Sequence, residues 1–416
     1  MAEFSIRDKC SINTNSESDT FVGIKCENGD FSIHFPLGFH IAKEDKELRR
    51  DILLLMGKIK ETTARRESEV YDQYYQQSSL SFPFQAYLTV IYDFYNRGYY
   101  KEYEVQYNVA NRGKIDWSRT IKTQRPVLQD GNAFYLNFVT KKSSINENEL
   151  ITLIHEYCVY DSFEKIGWLF TDKMPIKPRL KYHYKLFKGI VKEKLSQTFN
   201  DRNKMLFRSM LAIIDYQGEE QPQMDYRFGT NRFEYVWEMM VDRVYGIKEK
   251  VFYFPKTTWK LGKDYDNACL EPDTIMLLGN KIFVLDAKYY KYGQTKRASD
   301  LPESTSINKQ ITYGEYIAEN DKFDNKHGKD RTVYNAFIMP FDAVSKKWNC
   351  GESILCVGDA VSDWKSGCKE YEHILGILVD VKHLMQISVT EDQEEIMKLA
   401  DCIEDYVNNV RDTWTF

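Results

Sequence analysis

Two short apolar runs, Ile275-Met276-Leu277-Leu278 and Ile282-Phe283-Val284-Leu285, flank the dipeptide Gly279-Asn280. Such a dipeptide takes the positive φ angles of a tight turn, so the spacing predicts two buried antiparallel strands joined as a hairpin. Upstream, Phe233, Val236, Trp237, Met240 and Val244 recur at helical intervals before Gly246. They predict a helix that starts after Asn231 and stops near Tyr245. The same reasoning expects helices over 46–69, 84–97 (ended by Gly98), 147–166 and 307–319. Strands are expected over 251–261, 332–338, 353–357 and 374–379. Residues 1 to about 45, and the stretch from 99 to 140 around Gly113–Ile121, read as strand-like segments.

Pro175 and Pro178 discourage continuous helix and precede a basic stretch that becomes helical over 181–216. These breaks predict three parts: an α+β N-terminal domain over 1–172, a basic helical connector over 173–227, and a C-terminal domain over 228–416. The C-terminal order of helix, three strands, helix and strand predicts a mixed sheet flanked by helices, within the α+β or α/β class.

Composition narrows the class of function. The chain has 416 residues, 43% apolar and 29% charged, which is ordinary for a folded globular protein. No apolar run reaches the length of a membrane span, and the first residues lack the basic start and apolar core of a signal peptide. A cytoplasmic location and no membrane partner are expected. The eight cysteines are scattered without a Cys-x-x-Cys pair, so reduced thiols are expected rather than zinc.

Chemistry concentrates on the hairpin. Asp273 precedes its first strand, and Asp286 and Lys288 end its second, where a period of two points both side chains to one face. Pairing about the turn brings Asp273 opposite the Asp286 end. Mg²⁺ takes hard oxygen ligands, often one or two carboxylates with water and phosphate, and Asp273, Asp286 and the Ala287 carbonyl offer such a set. Mn²⁺ is expected to substitute. Lys288 would orient water or stabilise charge on a phosphate, so the unit points to metal-assisted phosphodiester hydrolysis. Glu234 and Glu238 lie one helical turn apart upstream. Asn231-x-x-Glu234 fits a capping box, which leaves Glu238 the preferred site acid.

Net charge bears on substrate binding. At −5, the chain offers DNA little general attraction. The exception is 173–194, with eight Lys/Arg against one acid, interleaved with Tyr182, His183, Tyr184 and Phe187. This patch reads either as a DNA track through Lys181, Lys185, Lys188 and Lys192 or as a solvated helix whose aromatics pack inward. His155-Glu156 lacks the second histidine of a zinc protease, Asp380-x-Lys382 lacks a hairpin acid, and Asp116 with Arg119 reads as turn structure in preference to a partner-subunit contact.

The element order, with Asp273 and Asp286-x-Lys288 on the central hairpin, resembles the PD-(D/E)xK nuclease fold. That resemblance implies an acid on the first helix, Glu238 or Glu234, and a glutamine on the helix after the hairpin, Gln310; Lys309, beside it, is a candidate DNA contact. More narrowly, His34–Phe39, Gly113–Ile121, Phe233–Glu238, the hairpin, Ile307–Gln310 and Ile377–Lys382 resemble the McrC-like subunits of restriction systems, particularly the LlaJI restriction endonuclease family. The resemblance implies a prokaryotic anti-phage system in which the N-terminal domain engages a hexamer of McrB-like AAA+ GTPases and the C-terminal domain cuts double-stranded DNA. The chain has no Gly-x-x-x-x-Gly-Lys-Ser/Thr loop, so no nucleotide is expected on it. Alternatives are a non-cutting scaffold that stimulates the GTPase and a stand-alone type II restriction endonuclease.

Overall fold

A computed structural model describes residues 5–27, 30–69, 82–146, 149–171, 173–218, 226–267, 269–348 and 351–410. It is mixed α and β, and divides into two compact units, Met1–Leu80 with Met224–Phe416, and Ser81–Gln223. The expected division at 172 and 227 is not the one observed. The physical reason is strand pairing across a long stretch of sequence: Tyr226–Thr230 hydrogen-bonds antiparallel to Val22–Glu27. It completes a four-stranded sheet with Asp30–Phe35 and Cys10–Ile12. The first 80 residues therefore belong with the C-terminal part.

The first unit is centred on a five-stranded mixed sheet, ordered Thr274–Leu278, Lys281–Ala287, Thr332–Phe341, Ile374–Asp380, Ile354–Ala360. The first pair and the last pair are antiparallel, and the two central pairings are parallel. Strand Lys281–Ala287 is buried from Ile282 onward, which explains its unbroken apolar run: a strand covered on both faces has no polar side to alternate with. Gly279 takes φ 62° in the turn, as the hairpin requires. Helices Ser304–Glu319 and Glu234–Tyr245 both pack on this hairpin, and Gln393–Val410, which the sequence pattern did not single out, packs on both outer strands.

The N-terminal segment is built into the same unit. Gly38, at φ 79°, has no room for a side chain, because a Cβ there would meet the Phe341 backbone nitrogen at 3.0 Å. Beside it the Leu37 N–H donates to the Tyr289 phenolic oxygen at 2.6 Å, and Asn15 Nδ2 donates to the Tyr289 carbonyl at 3.1 Å. These bonds clamp the backbone immediately after Lys288. The expected strand over 251–261 is instead a 3-10 turn at Lys250–Tyr253 and a short strand Thr258–Lys260, paired only with Asp264–Asp266 among the described residues. Asp380 caps the helix after its strand, its Oδ1 accepting from His383 N–H at 2.8 Å, and Lys382 pairs with Glu47 and Asp51. That Asp-x-Lys repeat is structural.

The second unit packs helices Phe84–Arg97, Leu150–Ile166, Tyr184–Gln197 and Asp201–Gly218. Its three-stranded sheet is ordered Glu102–Val109, Val139–Asn146, Lys114–Ile115, and a separate ribbon pairs Val127–Gln129 with Asn132–Phe134. The basic stretch is part of this helical core rather than a connector: Tyr157 stacks on Tyr182, Phe187 meets both rings edge-on, and Phe187 is fully buried. Asp116 ends the strand-like segment by capping helix Trp117–Thr123, accepting from Arg119 N–H. His155 lies buried and accepts a hydrogen bond from the Tyr100 N–H. None of the described helices is long and apolar enough to cross a membrane, and the described cysteines are all free.

Asp161 makes this unit sensitive to pH. Buried under Tyr87, whose hydroxyl donates to it at 3.0 Å, its carboxyl is pushed up to about 6 chiefly by burial. A carboxyl that binds its proton more tightly folded than unfolded favours folding most at acid pH, and this advantage is lost as pH rises from about 4 to 6. Asp161→Asn keeps the acceptor for Tyr87 without the charge. Relative to the parent it is expected to match stability near pH 4 and to gain on the order of 3 kcal/mol above pH 6. Urea denaturation at both pH values checks this; a gain that is equal at both would contradict it.

Candidate active site

Thr274 pairs with Leu285 in the hairpin register, so the residue before the first strand lies beside the end of the second. Asp273 Oδ2 accepts the Ala287 N–H at 2.8 Å, and the carboxyl groups of Asp273 and Asp286 are close enough for the charge of one to act on the other. Lys288 Nζ is 2.5 Å from Asp286 Oδ2. Ile282 and Val284 pack with Tyr313 and Ile317, and strand alternation continues that face to Asp286 and Lys288. There the Lys288 ammonium lies 5.8 Å from the centre of the Phe337 ring.

Electrostatics follows from this crowding. Burial, then the charge and hydrogen bond of Asp286, then the charge of Glu238, hold the Asp273 carboxyl well above the usual carboxylate range. The Ala287 N–H pulls weakly the other way. For Lys288, burial favours the neutral amine, but the Asp286 carboxylate outweighs it, and the ammonium is held above its ordinary range. Two neighbouring acids beside a lysine crowd negative charge into a part-buried corner.

A cleft of ≈ 480 Å³ reaches this cluster at Asp273, while Asp286 and Lys288 are outside its lining. Helix Glu234–Tyr245 supplies Tyr235, Glu238, Met239 and Asp242 to its wall, and the Glu271-Pro272-Asp273 corner, Lys250, Val251, Phe254 and Thr62 line the rest. The helix is held by Trp237, fully buried, whose Nε1 donates to the Ile338 carbonyl at 3.1 Å. The same carbonyl accepts the Lys288 N–H at 2.8 Å. Glu234 is outside the lining; it pairs with Arg232 at 3.2 Å. The anticipated capping box is not formed, since Phe233 is the N-cap without a side-chain bond and Asn231 accepts from Arg227 instead.

Gln310 also stands apart from the cleft. It is buried, and its Nε2 donates to the Val284 carbonyl at 2.7 Å, two residues before Asp286, while Oε1 has no hydrogen-bond partner. Lys309 is exposed, with its ammonium 5.5 Å from the centre of the Tyr313 ring. Both residues feel the charge of Asp286. Of the basic-stretch lysines, Lys188 is committed to Asp215 at 2.6 Å, whereas Lys181, Lys185 and Lys192 are exposed. Sequence reasoning missed Asp242, Lys250 and Tyr313. Asp242 carried the only available signal, lying one turn beyond Glu238.

Among the described residues no three His, Cys, Asp or Glu side chains close on one point. The donor set is nevertheless of the right kind for a hard divalent ion. Asp273 and Asp286 crowd two carboxylate groups together where a cation would offset their charge, and the Ala287 carbonyl lies between Asp286 and Lys288 in the chain.

A family model described as LlaJI restriction endonuclease matches residues 21–354. The chain is similar to the type II restriction enzyme BsuMI component YdjA of Bacillus subtilis (strain 168), 26% identical over 262 residues, 58% of this chain and 55% of the relative. It thus spans about half the length of that curated relative. Among solved structures it is similar to a refined half-complex from a tetradecameric assembly of Thermococcus gammatolerans McrB AAA+ hexamers with bound McrC. That match has 14% identity and TM-score 0.36, covering 94% of this chain and 83% of the other.

Proposed function

Since the chain belongs to the LlaJI restriction endonuclease family, we propose that it is the Mg²⁺-dependent, DNA-cutting subunit of a restriction system. On this reading the five-stranded sheet and its helices are a PD-(D/E)xK nuclease domain. The observation that carries it is the meeting of Asp273, Asp286 and Lys288 at the ends of two adjacent strands, with Asp273 on the wall of an acid-lined cleft.

The roles follow from what each group can do. Asp273, Asp286 and the Ala287 carbonyl would hold the ion. When bound, that ion supplies charge stabilisation to the phosphate and lowers the pKa of water. Lys288 stays protonated near neutral pH, so it acts as a hydrogen-bond donor to the phosphate or the incoming water, not as a base. Water adds to phosphorus and the P–O bond to the leaving sugar oxygen breaks, with that oxygen taking up a proton. Glu238 adds negative charge on the cleft side of Asp273 and tunes the ion's affinity. Gln310 positions the strand through the Val284 carbonyl. Lys181, Lys185, Lys192 and Lys309 are proposed DNA contacts.

A McrB-like AAA+ GTPase is the proposed partner. The net charge of −5 leaves DNA engagement wanting help, and the Bacillus relative is itself named a component of a restriction enzyme. Docking is assigned to the second unit, where Trp117, Ile121, Val127, Leu128, Phe134 and Leu136 are exposed within twenty residues of sequence.

Plasmid cleavage with Mg²⁺, with and without the AAA+ protein and GTP, tests the proposal. Cutting that needs the partner and is lost in Asp286→Ala is expected. Glu238→Gln should lower the rate on the order of tenfold to a hundredfold, whereas Glu234→Gln should leave it near the parent's. Undiminished GTPase stimulation by parent and Asp286→Ala, with no cutting of any DNA, would make the chain a scaffold. Cutting with Mg²⁺ alone would make it a stand-alone enzyme.

A further inference from the structure

The cleft wall brings together the carboxylates of Glu238, Asp242, Glu271 and Asp273 with the ammonium of Lys250. Lys250 comes from the 3-10 turn after the helix and reaches in to lie 2.8 Å from Asp242 Oδ1. Its ammonium also donates to the main-chain carbonyl of Asp273. Thr274 Oγ1 donates to the same Asp242 oxygen at 3.3 Å. One lysine thus joins an acid of the helix wall to the peptide from which the Asp273 side chain departs.

We propose that Lys250 is a positioning residue whose ammonium serves as the cleft's built-in cation, seated between Asp242 and the Asp273 peptide where a second divalent ion would otherwise bind. The proposal rests on the nuclease reading of Asp273 and Asp286. Its physical basis is charge and coordination. A carboxylate and a main-chain carbonyl facing one point are hard oxygen donors that suit Mg²⁺ or Mn²⁺ as well as they suit an ammonium. Glu238 and Glu271 on the same wall add to the attraction for positive charge. A tethered ammonium satisfies those oxygens with a single charge and cannot activate water. Lys250 therefore confines divalent binding to the Asp273–Asp286 pair, and its hold on the Asp273 carbonyl keeps that side chain turned toward the Ala287 N–H.

The test counts ions rather than cleavage. Mn²⁺ is titrated into the full chain by calorimetry at neutral pH, with circular dichroism to confirm folding. One ion per parent chain is expected, and two in Lys250→Met. One is expected again in Lys250→Arg and in the double variant Lys250→Met with Asp242→Asn, which lacks the acid a second ion needs. Should Lys250→Met unfold, Lys250→Gln carries the test, since its amide still donates hydrogen bonds but has no charge; it too should bind two. A single ion in the folded neutral variants, or two in the parent, overturns the inference and leaves the nuclease reading standing. A parent that binds no Mn²⁺ at all removes the nuclease reading and this inference with it.

Discussion

Asp273→Asn is expected to lose DNA cleavage by about 10³-fold or more and at the same time to make the folded chain more stable. The two effects share one cause. Asp273 and Asp286 are crowded into a part-buried corner where the charge of Glu238 is also felt, and their carboxylates repel one another. The asparagine keeps the acceptor that Ala287 N–H uses, but removes one negative charge and with it one of the proposed metal ligands. Loss of the ligand costs the charge stabilisation that metal-assisted hydrolysis depends on. Loss of the repulsion favours the fold by roughly 1 kcal/mol or more, the usual size for removing an ill-compensated buried charge. Thermal denaturation without divalent ions, beside a plasmid assay with Mg²⁺, measures both. A variant that cuts like the parent removes Asp273 from the active centre; one that is inactive and less stable shows that the acid holds the fold.

The largest structural effect is expected from Trp237→Ala. Trp237 is fully buried, and truncating a large aromatic in a packed core costs about 3–5 kcal/mol. Its Nε1 bond to Ile338 is lost as well. Because Glu238 is the next residue and Asp242 lies little more than a turn further on, the loss loosens the acidic wall of the cleft. The variant should unfold at lower denaturant and cut more slowly even where it remains folded. Trp237→Phe separates packing from hydrogen bonding: it keeps most of the ring, and the expected cost falls to about 1–2 kcal/mol. Chemical denaturation of the three proteins checks the order. Equal losses in both variants would place the effect in the hydrogen bond rather than in the packing.

The hairpin was legible in the sequence because everything that determines it is local. Ile275–Leu278 and Ile282–Leu285 are bounded by Gly279-Asn280, and the period of two carries Asp286 and Lys288 to one face without reference to the rest of the chain. Helix Glu234–Tyr245 was legible for the same reason, its buried stripe repeating at helical spacing. The unit boundaries were not, because strand Tyr226–Thr230 chooses Val22–Glu27 as its partner across some two hundred residues. Apolar periodicity marks a strand, but it does not say beside which other strand the backbone hydrogen bonds will close. Lys250 was hidden likewise: it acts through Asp242 and Asp273, on two different elements. The capping box at Asn231 failed because Arg227 and Arg232 offered Asn231 and Glu234 charged donors that compete with backbone N–H groups.

The Ile338 carbonyl, which accepts from both Trp237 and Lys288, has a consequence for the order of events during translation. The hairpin leaves the ribosome with both its acids and its lysine, yet the strand that anchors Lys288 follows about 50 residues later, roughly 3–10 s at ordinary elongation rates. Until then the wall helix has no acceptor for Trp237 and the parallel half of the sheet is missing. On the proposed reading, a ribosome that stalls or terminates early inside this window releases a chain that carries the cutting residues but has no assembled blade, and the cell's own chromosome is spared the fragments of its own defence.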